Sequence, residues 1–81
     1  MWNFNNVIEI SYQRDYVFKI VFDDSTNGEM DFSEYITKWD IFKPLSDLNL
    51  FTKAMIDGGA IAWTNGADIA PETLYEKLSI G

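Results

Sequence analysis

Two segments near the start of the chain alternate with a period of two, and no other feature restricts the fold as strongly. They are residues 7–13 and 16–22. A period of two is typical of β-strands that bury one face. Because only Arg14 and Asp15 separate the segments, they predict a tight antiparallel hairpin. The residues expected on one face of its strands are Ile8, Ile10 and Tyr12, and Tyr16, Phe18, Ile20 and Phe22.

Turn signals further along the chain predict more strands. The polar cluster 23–28 indicates a turn, and residues 28–32 alternate again with Met30 and Phe32 inward. These three segments predict an antiparallel meander over 7–13, 16–22 and 28–32. Two glycines, Gly58 and Gly59, predict a second hairpin, because glycine accepts the positive φ of a two-residue turn. Its strands are residues 55–57 and 60–63.

Two short helices complete the predicted fold. Ser46 or Asp47 can cap a helix near 47–54, and Pro71 suits the first position of a helix over 71–78. The stretch 33–45 shows no clear period. We therefore predict one α+β domain over residues 1–81, with a small antiparallel sheet (the meander plus the second hairpin) and these two helices.

The residue inventory argues against catalysis. Among its 81 residues the chain has no histidine and no cysteine. It therefore lacks disulfides, thiol nucleophiles, thiolate zinc sites and the usual general base near pH 7. No nucleophile-elbow or phosphate-loop motif is present. We expect a protein that is not an enzyme and needs no cofactor.

The charge restricts the class of partner. Thirteen acidic residues against six scattered basic ones give a net charge of −7. Such a chain is repelled by phosphate backbones and anionic lipids, so we expect no direct binding of nucleic acid or membrane. No apolar run approaches bilayer length and no leader pattern is visible, so the expected location is the cytoplasm. A basic protein is the electrostatically favoured partner.

One metal-binding motif has the correct spacing. The oxygen ligands and the glycine of a calcium loop match Asp23, Ser25, Asn27, Gly28 and Glu34. An EF-hand, however, needs a helix on each side of the loop, whereas residues 16–22 are strand-like. We expect a polar hairpin loop and no metal site.

The aromatic residues have two interpretations. In a domain of this size large aromatic side chains are mainly needed to fill the core. Trp2 and Phe4 lie outside every periodic run. They are the residues expected to serve as surface anchors or oligomer contacts.

The C-terminal half carries a long sequence pattern. Residues 63–75 read W-T-N-G-A-D-I-A-P-E-T-L-Y, and they follow F-K-P-L-S-D at 42–47. With the looser N-terminal half, they resemble a family of small bacterial proteins catalogued as domain of unknown function 2442. The resemblance implies an α+β fold with an antiparallel sheet and no known activity. It also implies a gene arrangement suggestive of toxin–antitoxin pairs, and some family members carry a following helix-turn-helix domain.

The residues of this pattern that suggest a binding site are Trp63, Asn65, Asp68 and Tyr75. Turn and cap chemistry is one interpretation: an Asn-Gly turn, an Asp68 carboxylate that accepts from backbone N–H groups, and Trp63 and Tyr75 packing the last helix onto the second hairpin. A shallow site between the four side chains is the other.

The function hypotheses follow from exclusion and charge. We expect a protein-interaction domain, and the gene arrangement that the resemblance implies suggests the neutralising component of a toxin–antitoxin-like pair. The alternatives are a nucleic-acid-associated regulatory protein that acts through a partner, and a small-ligand-binding domain. Exposed sheet edges would also permit a homodimer.

Overall fold

A computed structural model describes residues 5–80, so Trp2 and Phe4 lie outside the described residues. The predicted meander is confirmed. Strands β1 (Val7–Arg14), β2 (Val17–Phe22) and β3 (Asn27–Asp31) form an antiparallel sheet in the order β1-β2-β3. The register pairs Ile10 with Ile20 and Phe18 with both Tyr12 and Met30, so these side chains share the inner face.

The structure corrects the predicted pattern at both ends of β1. A register shift between Val7 and Glu9 leaves Ile8 as an extra residue, and Ile8 is 58% exposed while Val7 is 2% exposed. A bulge of this kind reverses the alternation, so Val7 takes the core position expected for Ile8. The hairpin turn lies at Asp15 and Tyr16, one residue later than expected, with Asp15 at a φ of 44°. Aspartate tolerates this left-handed conformation better than most residues.

The second hairpin is confirmed and gains a third strand. Strands β4 (Met55–Asp57) and β5 (Ala60–Ala62) pair across Gly58 and Gly59, whose φ angles are 59° and 84°. A two-residue strand, β6 (Asp68–Ile69), adds to β5 in a separate sheet of order β4-β5-β6. Two residues are too few for a sequence period, which is why β6 was not predicted.

The helical content exceeds the prediction. The expected helix near 47–54 is the short α2 (Leu48–Phe51), and Asp47 is its cap, accepting a hydrogen bond from Asn49 N at 2.9 Å. The last helix, α3 (Pro71–Ile80), starts at Pro71 as predicted. The unassigned stretch contains α1 (Ser33–Lys38) and a 3-10 helix over Asp40–Ser46.

An aromatic core joins the two sheets to the helices. Phe51 of α2 is fully buried, and its ring contacts Phe18 of β2 at 5.0 Å and Trp63, just after β5, at 5.9 Å between centroids. On the same inner face of the meander, α3 approaches Gly28, which pairs with Ile20 and where an added Cβ would lie 3.1 Å from Leu78 Cδ2. The core therefore depends on packing between elements rather than on either sheet alone.

The backbone also ties the sheets together at Asn6 and Val7. Asn6 O accepts from Asp23 N at 2.9 Å, at the end of the meander's second strand. Val7 N donates to Gly59 O at 2.9 Å, in the turn of the second hairpin. At Gly59 an added Cβ would lie 2.7 Å from Asn6 Cγ, whereas Gly58 has nothing within 4 Å. Only glycine permits this approach.

We predict that Gly59→Ala destabilises the fold more than Gly58→Ala. Both substitutions place alanine at a positive φ, which costs about 1–2 kcal/mol. Gly59→Ala also forces the Asn6 side chain away and weakens the hydrogen bond from Val7 N to the carbonyl of residue 59, at a cost of about 1 kcal/mol more. Urea unfolding of the two variants measures the difference. Equal losses would contradict the close approach of the sheets.

Candidate functional site

Trp63 lies inside the core. It is 3% exposed, and its indole Nε1 donates to Phe51 O at 2.9 Å in a buried hydrogen bond. Its ring stacks on Phe51 and makes edge contacts with Phe32 and Phe42 at 6.0 and 6.2 Å. The side chain fills space between elements and has no face open to a ligand.

Asn65 holds the turn that follows Trp63. Its Oδ1 accepts from Ala67 N at 3.1 Å, and its Nδ2 donates to Ile41 O, also at 3.1 Å. Gly66 takes a φ of 95°, as the Asn-Gly turn requires. Asn65 therefore links this turn to the 3-10 helix, which is a structural role.

Tyr75 packs against the meander, not against Trp63. Its ring meets Phe22 edge-on at 5.0 Å, and its hydroxyl donates to Asp24 Oδ2 at 2.7 Å. The Thr26 hydroxyl lies 3.3 Å from the Tyr75 hydroxyl. The backbone N–H of Thr26 and then the Tyr75 hydroxyl hold the pKa of Asp24 below its ordinary value, because both donate to the carboxylate. The contact fixes α3 on the β2–β3 turn.

Asp68 is the predicted site residue that remains available for binding. It is exposed on β6, and within residues 5–80 its side chain makes no hydrogen bond or ion pair. The four predicted residues thus occupy different places: Trp63 and Asn65 at one turn, Tyr75 on the meander, and Asp68 at the surface. Among the described residues, no hydrogen bond or ring contact joins any two of these four side chains.

Asp68 lines an open groove that sequence reasoning missed. The groove has a volume of about 270 Å³ and lies between α1, the 3-10 helix, β6 and the start of α3. Trp39 and Ile41 stand at its surface, 46% and 50% exposed. The residues that line it are Tyr35, Trp39, Ile41, Phe42, Asp68, Ile69, Ala70 and Thr73. The one signal in the sequence was a pair of large apolar residues, Trp39 and Ile41, set among charged neighbours.

Cations already lie against the aromatic rings of this groove. Lys38 Nζ is 5.4 Å from the Trp39 ring centroid, and Lys77 Nζ is 5.4 Å from that of Tyr35. Burial, and secondarily the Glu34 charge, raises the pKa of the Tyr35 phenol, so it stays protonated near neutral pH. The groove offers apolar contact, aromatic faces and one carboxylate, which is the chemistry of binding.

The calcium-loop residues are divided between elements. Asn27 and Gly28 lie in β3, and Glu34 lies in α1, while the flank expected to be a strand is β2. Within the part of the chain that the structure describes, no three acidic side chains are placed to hold a metal ion. The same part contains no helix long and apolar enough to cross a bilayer.

We predict that Tyr75→Phe raises the pKa of Asp24, because it removes one donor to the carboxylate. Since the folded-state pKa of Asp24 is lowered, its stabilising effect is present above the unfolded pKa and is lost as pH falls through the folded pKa. The variant should shift that loss to higher pH. Carboxyl-carbon NMR titration of Asp24 measures the shift. Asp31 is the internal control, because its carboxylate accepts a hydrogen bond from Ser33 that also lowers its pKa and that the substitution leaves in place. An unchanged Asp24 titration would contradict the contact.

Comparison with known proteins identifies a family. No curated protein and no solved structure matches the chain. A family model described as "Protein of unknown function (DUF2442)" matches residues 7–78, from β1 into α3. The chain therefore belongs to the DUF2442 family.

Proposed function

We propose that this chain is a non-enzymatic domain that binds another protein, and that the groove is its interaction surface. The observation that carries the proposal is the exposure of Trp39 and Ile41 beside a groove with an apolar floor. A large exposed aromatic next to apolar surface is typical of interface hot spots. Trp39 is also held in place, because its ring packs on Tyr35 at 5.2 Å and Phe42 at 6.4 Å.

The size and shape of the groove favour a protein partner over a small ligand. Its volume of about 270 Å³ is at the small end of the sites that enclose small molecules, which measure roughly 300–1,000 Å³. The groove is also open to solvent rather than closed over a ligand. A side chain from a second protein can lie in such a groove while the rest of the partner covers Trp39.

The charge supports a basic partner. The elements around the groove (α1, the 3-10 helix, β6 and α3) carry five acidic and three basic residues, within a chain of net charge −7. One of the three, Lys43, is paired with Asp40 at 3.0 Å. The same charge disfavours phosphate backbones, so a nucleic-acid-associated role would act through a partner. We place the domain in the bacterial cytoplasm, as the neutralising component of a toxin–antitoxin-like pair.

A homodimer is the second candidate, and the strand order favours it. Strand β1 is an edge of its sheet and eight residues long; Val7 at its start is hydrogen-bonded to Gly59, and Ile8 and Tyr12 beyond it are exposed. Edge strands of this length pair readily with another chain. No residue of β1 lines the groove, so the two candidates respond to different substitutions.

We predict that Trp39→Ala abolishes capture of the partner, whereas Leu48→Ala does not. Both residues are exposed to a similar degree, 46% and 41%, but Leu48 of α2 does not line the groove. Loss of a hot-spot tryptophan weakens binding by about 30-fold or more. The immobilised variants are compared by quantitative capture from host cells at low and high salt, with circular dichroism to confirm folding.

Three results would count against the proposal. Equal capture by Trp39→Ala and the parent chain would exclude the groove as the surface. A captured complex that is indifferent to salt would exclude the basic partner. Sedimentation that shows a stable dimer, lost on substitution of Ile8 and not of Trp39, would favour the β1 edge instead.

A further inference from the structure

We infer that the groove receives an arginine side chain of the partner, whose guanidinium stacks on Trp39 and pairs with Asp68; this rests on the proposed function. Trp39 and Asp68 line the same groove, and no basic residue lines it. An arginine is the side chain that uses both features, because its planar guanidinium stacks on aromatic rings and donates two parallel hydrogen bonds to a carboxylate.

The first observation behind this inference is the position of two lysine side chains over the groove rings. Lys38 and Lys77 each lie 5.4 Å from an aromatic ring of the groove, on Trp39 and Tyr35 respectively. Cation–π contacts of this length are favourable, and tryptophan gives the strongest of them. Both lysines are exposed, so their ammonium groups can leave the rings when a guanidinium arrives.

The second observation is the state of Asp68. Its side chain is exposed and forms no ion pair or hydrogen bond with any residue in 5–80. The nearby acid Asp40, by contrast, is paired with Lys43. A guest cation therefore meets one carboxylate in the groove that no described residue neutralises.

The third observation is the form of the groove. A volume of about 270 Å³ that is open to solvent suits one long side chain lying along an apolar floor. The methylene stem of arginine packs on such a floor while its charged end remains near water. Lysine has a similar stem, but its compact, strongly hydrated ammonium neither stacks nor forms the paired bonds.

The test uses three small probes on the intact chain: the amides of N-acetyl-arginine, N-acetyl-lysine and N-acetyl-leucine, added at millimolar concentrations. NMR signals of the Trp39 indole N–H and the Ile69 amide report the groove. We expect the arginine probe to shift these signals at the lowest concentration. The affinity of the Asp68→Asn variant for the arginine probe should be about threefold lower, which is the loss typical of one partly exposed ion pair. Asp57→Asn removes the same charge from β4, outside the groove, and should leave the affinity unchanged.

Each other outcome overturns the inference in a recognisable way. If the leucine probe binds as well as the arginine probe, the groove is an apolar docking surface, so the proposed function stands and the arginine assignment fails. If the lysine probe binds as well as the arginine probe, stacking of a guanidinium on Trp39 is excluded. If Asp68→Asn and Asp57→Asn have the same affinity for the arginine probe, pairing with the Asp68 carboxylate is excluded. If no probe shifts the groove signals while Trp39→Ala still abolishes capture, the partner is recognised by other contacts.

Discussion

The packing of Trp63 on Phe51 holds α2 and both sheets together. The Trp63 indole stacks on the Phe51 ring at an interplanar angle of 26° and donates to the Phe51 carbonyl. Phe51 belongs to α2 and touches the meander through Phe18, while Trp63 directly follows β5. A buried indole N–H without an acceptor costs about 1–3 kcal/mol, so this bond sets where α2 lies against the second sheet.

The same aromatic packing reaches the surface. From Trp63 the ring contacts continue to Phe42 and from Phe42 to Tyr35 and Trp39, whose ring is half exposed at the groove. Trp63 and Asn65, expected as site residues, serve the fold, whereas the exposed end of the chain of rings is available for a partner. An aromatic side chain already fixed by its neighbours loses little conformational entropy on binding.

The parts of the fold that could be predicted are those that a local pattern specifies. Alternation in β2 and the pair Gly58–Gly59 specify both hairpins, since the strand period and the turn angles are local properties. The bulge at Ile8 is a property of pairing, and α1 has too few residues, six, to show a helical period. The site depends still more on tertiary packing. Tyr75 finds its partner Asp24 at a separation of 51 residues, and the groove is built from four elements, of which only α3 was predicted.

Hydrogen exchange of the tryptophan indole N–H groups measures whether Trp63 maintains the core while Trp39 is open to a partner. The Trp63 indole N–H is buried and bonded, whereas that of Trp39 makes no hydrogen bond with the residues in 5–80. Replacing each tryptophan with phenylalanine assigns the signals. We expect the Trp63 indole to exchange as slowly as the most protected backbone amides, which open only on global unfolding, and the Trp39 indole to exchange quickly. A Trp63 indole that exchanges early, while the amides of β2 remain protected, would contradict this expectation.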